Sequence, residues 1–157
     1  MTQEEKELLI RDLCARLPYG VKVNFKYGIK PLELRDMSFD GSVWMGNDKF
    51  SEDIEEVKPY LRPMSSMTEE EARFILGKIV GDREILSVGI GRDEITANVD
   101  DGVSSYEKVW VFYDEIVRSL DLLDYLNTRH FDYRGLIEKG LAIEAPEGMY
   151  NTKTEQL

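Results

Sequence analysis

The first part of the chain changes from a helical to a strand-like spacing of its apolar residues. Thr2 with Glu5 forms a capping box, and the apolar residues behind it recur at helical intervals until Pro18. This pattern predicts a helix over about residues 2–16. Residues 21–27 then alternate strictly between apolar and polar side chains, which is typical of a strand with one buried face.

Three further segments predict a small β meander after this strand. A second strand follows Gly28, and its apolar residues change phase near Arg35 and Asp36, which indicates a β-bulge. A hairpin turn then leads into a third strand at residues 42–45. Residues 54–61 contain a proline and are predicted to form an edge strand.

The middle of the chain repeats the helix-then-strands order. A second capping box at Thr68 predicts a helix over about residues 68–80. Residues 84–99 are predicted to form a hairpin, followed by a strand at residues 108–113. Because this last strand is apolar on both faces, we expect it to lie in the centre of its sheet.

The pattern after residue 113 is helical again. A helix is predicted from Asp114 to about Asn127, and Asp132 is expected to cap a short final helix that carries Leu136. Residues after Tyr150 are expected to lie free of the body.

These elements predict an α+β fold of two parts. Residues 1–63 are expected to form an N-terminal helix with a small antiparallel β meander or an SH3-like partial barrel. Residues 64–157 are expected to form a helix, three antiparallel strands and C-terminal helices that share one core with the first part.

Composition limits the function classes. The chain of 157 residues carries a net charge of −11 and has no apolar run long enough to span a membrane. Its acidic start does not match an export signal, so a cytoplasmic location is expected. Residues 67–124 hold 14 acidic and 6 basic side chains, so an acidic mimic of DNA is one alternative function. Acidic helix first turns and loops explain the same charges without any partner.

Catalytic and cofactor chemistry finds little support. With one histidine and one cysteine a conventional zinc site is excluded, and no nucleotide-binding glycine motif is complete, so no metal, cofactor or catalytic residue is assigned. Cys14 follows the apolar phase of the first helix and is predicted to be buried. A hydrolase centred on His130 is a lesser alternative, because a histidine beside a helix end is usually structural.

Two residue groups are candidate binding sites. A polar and aromatic cluster near the C-terminus is a candidate interaction site, consisting of His130, Phe131, Tyr133 and Arg134. Phe131, Tyr133, Leu136 and Ile137 are also predicted to dock onto the body of the protein. A basic face of the first hairpin is a candidate for binding single-stranded nucleic acid, with Lys22, Lys26, Lys30 and Arg35. The solvated side of an amphipathic sheet would give the same pattern.

Three stretches carry a family resemblance: LPYGVKV, IEEVKPYLRPMSSMTEEE and HFDYRGLIEKGLAIEAPEGMYN. They resemble short uncharacterised proteins of gut anaerobic bacteria and of their prophage-like elements, which have no assigned activity. The resemblance covers both ends and the linker but not residues 72–118, and it implies a family that keeps a frame and varies its middle.

These observations favour a non-enzymatic, cytoplasmic protein-binding or scaffolding module of phage or mobile-element origin with an unknown protein partner. Exposed sheet edges are expected, and convergent catalytic groups are missing from the sequence. Nucleic-acid binding through the lysines of the first hairpin is the main alternative function.

Overall fold

The computed structural model describes residues 1–38, 40–46, 50–103 and 105–150. The chain divides into two compact units: unit 1 comprises residues 1–62 and 126–157, and unit 2 comprises residues 63–125. Helices and antiparallel strands occur in both, which confirms the α+β class. The expectation for the residues after Tyr150 lies outside the described residues.

Unit 1 begins with helix α1 (Gln3–Arg16), whose capping box forms as predicted: Glu5 N donates to Thr2 Oγ1, and Thr2 N donates to the Glu5 carboxylate. The strands of unit 1 are β1 (Lys22–Phe25), β2 (Leu32–Met37), β3 (Ser42–Met45), β4 (Phe50–Asp53), β5 (Val57–Leu61) and β9 (Ile143–Glu144).

The six strands form one sheet in the order β4-β3-β2-β1-β5-β9. The predicted meander is therefore part of a larger sheet, in which β9 runs parallel to β5. Because β5 lies between β1 and β9, the predicted edge position of residues 54–61 is wrong. The register between β2 and β3 shifts between Leu34 and Asp36, which confirms the predicted bulge.

A single apolar cluster fills unit 1 and includes residues from both of its chain segments. Leu9 and Leu13 of α1 pack with buried strand residues such as Val23 and Leu61, and Leu136 joins them from the C-terminal segment. Phe131 and Leu136 are fully buried, and Ile137 packs against the cluster, which confirms the predicted docking of these residues. Residues 126–157 thus belong to unit 1, whereas the sequence pattern had grouped them with residues 64–125.

Unit 2 consists of helix α2 (Glu69–Val80), strands β6 (Ile85–Ile90), β7 (Glu94–Asp100) and β8 (Tyr106–Phe112), and the short helix α3 (Tyr113–Ile116). Helix α2 starts at the predicted capping box of Thr68 and Glu71. The sheet order is β6-β7-β8, so β7 is central and β8 is an edge strand. The predicted central position of residues 108–113 is therefore wrong.

Two predictions for the C-terminal helices need correction. The long helix after Asp114 is interrupted, because α4 (Leu120–Thr128) starts separately from α3. No helix forms over residues 133–140, which are turns in which Gly135 and Gly140 adopt positive φ angles of 69° and 70°. Asp132 still caps this segment, since its carboxylate accepts hydrogen bonds from Leu136 N and Ile137 N. Among the described residues, no helix is both long and apolar enough to cross a membrane.

Candidate functional site

The three-stranded sheet of unit 2 has one covered and one open face. Helix α2 contacts β6 and β7, and every second residue of β7 is buried, namely Ile95, Ala97 and Val99. The intervening residues of β7 pair with Tyr106, Lys108, Trp110 and Phe112 of β8, all of them exposed. The alternation of a strand places these four side chains on the open face.

The open face carries a row of aromatic side chains. Tyr106, Trp110 and Phe112 retain 62%, 52% and 46% of their accessible surface. Lys108 Nζ lies 4.6 Å from the centre of the Trp110 ring, a cation–π contact within the row. We call these four residues the aromatic row. Exposed aromatic side chains that lie together on one surface are typical of interaction sites. A protein that binds no partner would gain stability by burying such side chains in its own core.

Small and polar side chains of β6 and β7 occupy the rest of this face. Asn98 donates a hydrogen bond to Ser87 Oγ at 2.8 Å, which ties β6 to β7 across the open side. Gly89 lies beside Thr96, and a Cβ at Gly89 would meet the Thr96 hydroxyl. The aromatic row is thus flanked by small and polar side chains rather than by a second apolar layer.

The predicted C-terminal cluster is a buried polar core and not an open site. His130 is 3% exposed, and its ring stacks on Tyr150 with the ring centres 4.0 Å apart. Phe131 is fully buried beneath the guanidinium of Arg62, 4.2 Å away. Tyr133 is half-buried and donates to Asn127 Oδ1. Its phenol therefore also serves the internal packing of unit 1.

A buried ion pair supports this cluster. Arg16 and Asp12 of α1 are both fully buried, and Arg16 Nε and Nη2 donate to the Asp12 carboxylate at 2.8 and 3.0 Å. Arg16 Nη2 also donates to the Phe131 carbonyl at 2.7 Å, and Arg134 Nε lies 3.2 Å from Asp12. The charged residues of α1 thereby hold the C-terminal segment in place.

The electrostatic surroundings keep His130 neutral. Burial, together with the nearby charges of Arg16 and Arg62, lowers the pKa of His130 to about 3, although a hydrogen bond to the Tyr19 backbone opposes the shift. Nδ1 of the ring is buried with no hydrogen-bond partner among the described residues. A histidine this enclosed does not offer a base to a substrate in solution, so the geometry gives the hydrolase hypothesis no support.

Two of the four cations of the first hairpin are paired with carboxylates, and a third donates to a carbonyl. Lys22 is half-buried, and its Nζ donates to the Met149 carbonyl at 3.3 Å. Lys26 pairs with Glu56 at 3.0 Å, which raises the pKa of Lys26. Arg35 pairs with Glu33 at 3.2 Å and donates to the Gly46 carbonyl. Lys30 is exposed. Neighbouring carboxylates therefore offset the charges of Lys26 and Arg35, two of the four cations proposed to bind phosphate.

An apolar pocket of about 370 Å³ lies at the tip of this hairpin. Its lining residues include Phe25, Tyr27, Ile29 and Leu32, with Lys30 and Glu52 as its charged members. Tyr27 and Ile29 are strongly exposed. The pocket is thus an exposed apolar feature of unit 1.

Cys14 is exposed, so its predicted burial is wrong. The buried stripe of α1 consists of Leu9, Asp12, Leu13 and Arg16, so the ion pair lies on the buried face of the helix although both of its residues are charged. Among the described residues, no three His, Cys, Asp or Glu side chains are grouped so that they could hold a metal ion.

Comparison with known proteins adds no assignment: no family model, no curated protein and no solved structure matches this chain.

Sequence reasoning missed the aromatic row, although its signal is present. Tyr106, Lys108, Trp110 and Phe112 share one parity, while Val109 and Val111 have the other. Alternate positions that hold aromatic residues together with a lysine indicate an exposed face of a strand. The interpretation as a central strand instead treated both sets of alternate positions as buried.

Proposed function

We propose that this chain is a non-enzymatic, cytoplasmic protein-binding module that docks a partner protein on the open face of the unit 2 sheet. The carrying observation is the aromatic row, in which three large aromatic side chains are about half exposed on one strand. Aromatic residues dominate the energetically important positions of protein interfaces because each buries a large area with little loss of side-chain freedom.

The division of the chain supports the proposal. Unit 2 comprises residues 63–125, which includes the stretch 72–118 that lies outside the resemblance to proteins of gut anaerobes and their prophage-like elements. An accessory module whose partners differ needs a constant framework together with a variable central region. An accessory role in a phage or mobile element is part of this proposal.

Site-specific crosslinking tests the function. A photo-reactive amino acid replaces Trp110 in the full chain, and irradiation in the native cells should give a discrete crosslinked protein. The matched control carries the same group at Ile29, which is also exposed and apolar but lies in unit 1. The adduct should persist after nuclease treatment and disappear when Phe112→Thr is added.

Two results would overturn the proposal. One is equal crosslinking from positions 110 and 29, which would indicate non-specific contact. The other is an adduct that nuclease removes, which would favour nucleic-acid binding instead.

A further inference from the structure

The two edges of the unit 2 sheet differ in their capacity to accept another strand. Strand β6 has a register shift between Ile85 and Ser87, and Arg73 Nη1 donates to the Ile85 carbonyl at 2.9 Å. Irregularity and side-chain cover of this kind obstruct strand pairing. Strand β8 pairs with β7 over seven consecutive residues without a shift and contains neither proline nor glycine. Its outer edge is thus a regular template.

Carboxylates surround both ends of β8. Residues 92–118 hold seven acidic side chains and three basic side chains, Arg92, Lys108 and Arg118. Asp100 lies opposite Tyr106 at one end, and Glu94 lies opposite Phe112 at the other. Burial raises the pKa of Tyr113 to about 12, and the nearby charges of Glu94 and Asp93 at this second end add to the shift.

The central part of β8 is different in character. Trp110 lies between the two acidic ends, and the Lys108 ammonium lies over its ring. Glu107 pairs with Arg83 at 2.7 Å. A strand placed beside β8 would therefore meet aromatic surface in the middle and negative charge towards both ends.

From these observations we propose that the partner docks as an added β-strand on the outer edge of β8, which pairs with no further strand among the described residues, and that the docking segment is extended, with apolar residues at alternate positions and Lys or Arg at both ends. This inference rests on the proposed function and names the chemistry of its partner. Main-chain hydrogen bonds supply the pairing, and the aromatic row and the flanking carboxylates select the side chains.

Charge also decides against a second copy of this chain as the occupant. An antiparallel pairing of two β8 strands about Val109 would bring the Tyr106 end of one copy to the Phe112 end of the other. Both ends are acidic, so the pairing would set carboxylates against carboxylates. A segment with Lys or Arg at both ends carries the charge opposite to that of each end of β8.

A selection experiment on the full chain tests the inference. A displayed library of random nine-residue peptides is selected on the wild-type chain and counter-selected on the Trp110→Thr, Phe112→Thr variant. We expect enrichment of alternating apolar sequences with Lys or Arg at both ends. The control selection uses the Tyr27→Thr, Ile29→Thr variant, which changes exposed apolar residues of unit 1 and should recover the same peptides.

The recovered peptide is then synthesised in two forms. One carries N-methyl groups at alternate backbone nitrogens facing one edge and the other carries them at the intervening nitrogens, with all side chains retained. We expect one form to lose binding about tenfold or more, because it cannot pair with the strand edge, and the other to bind like the parent peptide. Affinity should decrease as salt concentration rises.

Four outcomes would overturn the inference: enrichment of acidic or uncharged peptides, equal recovery on the counter-selection variant, equal binding of both N-methylated forms, or sedimentation showing that the chain dimerises through β8. If position 110 still crosslinks to a protein, these outcomes remove only the strand-addition inference. The absence of that crosslink removes the proposed function itself.

Discussion

Units 1 and 2 place charged and aromatic residues in opposite ways. In unit 1 a complete ion pair, Asp12 with Arg16, is buried, and His130 is enclosed beside it. In unit 2 the aromatic row is exposed on a sheet whose other face is covered by a helix. Residue polarity alone therefore does not decide which side chains are buried in this protein, because the docked C-terminal segment encloses charged residues and the open sheet leaves aromatic residues exposed.

The largest expected effect comes from breaking the buried ion pair. Arg16→Met leaves Asp12 as a buried carboxylate beside Arg134 and removes the guanidinium donor to the Phe131 carbonyl. We expect a loss of about 3–5 kcal/mol in the free energy of unfolding, measured by urea denaturation. Arg11→Met, at an exposed position of the same helix, is the control. A loss equal to that of the control would contradict a structural role for the pair.

The paired variant sharpens this result. Asp12→Leu combined with Arg16→Met removes both charges, and the loss should be smaller than for Arg16→Met alone, because no uncompensated buried carboxylate remains.

The next effect is a dependence of stability on pH. The pKa of His130 is about 3 in the folded protein and about 6.5 in the unfolded protein. Between these two pH values the unfolded state therefore binds a proton at His130 and the folded state does not. The stabilisation is fully present above pH 6.5 and is lost as the pH falls towards 3. Between pH 7 and pH 5 we expect a loss of about 2 kcal/mol relative to His130→Asn.

Asparagine is the suitable replacement because position 130 has a φ angle of 59°, which asparagine tolerates better than most residues. Thermal melts of both proteins over this pH range measure the difference, in which the shared titration of the carboxylates cancels. Parallel pH profiles for the two proteins would show that His130 is protonated without cost.

A smaller effect is expected at Tyr150. Its hydroxyl accepts a hydrogen bond from Lys22 N and donates one to the Tyr60 carbonyl, both at 2.9 Å. Tyr150→Phe should cost about 1–2 kcal/mol in urea denaturation, because two backbone groups lose their partner while the ring can still stack on His130. Tyr27→Phe, at an exposed position, should cost nothing measurable.

The smallest effect is expected on the aromatic row. Trp110→Thr replaces an exposed side chain by another residue that favours strands, so the free energy of unfolding should change by less than about 0.5 kcal/mol. The same variant should abolish partner binding. A large destabilisation would mean that the row contributes to the fold, and the contrast between the two units would then fail.

Much of the fold follows from local sequence signals. The two capping boxes, the bulge in β2 and the β6–β7 hairpin are all determined by neighbouring residues, and each was predictable. The buried Arg16 was not, because its partners include Phe131, far away in the sequence. The edge position of β8 depends on which strands pair, and alternation within one strand does not report that.

The candidate sites show the same limit. His130, Phe131, Tyr133 and Arg134 were singled out as a cluster, and the structure does bring them into one region of unit 1. Whether such a cluster faces solvent or the core depends on the ion pair of α1, which the sequence pattern presents as part of an ordinary helix surface.

Arg62 is the last residue of the first chain segment of unit 1, and its hydrogen bonds indicate how unit 1 could be engineered. Its backbone N donates to the His130 carbonyl, its carbonyl accepts from Asp132 N, and Phe131 N bonds to the Leu126 carbonyl. The chain therefore leaves unit 1 at residue 62 and re-enters it at residue 126 close to the same place. A glycine tether from residue 62 to Leu120, the first residue of α4, would keep that helix whole, and unit 1 should then fold by itself and accept other modules at that position.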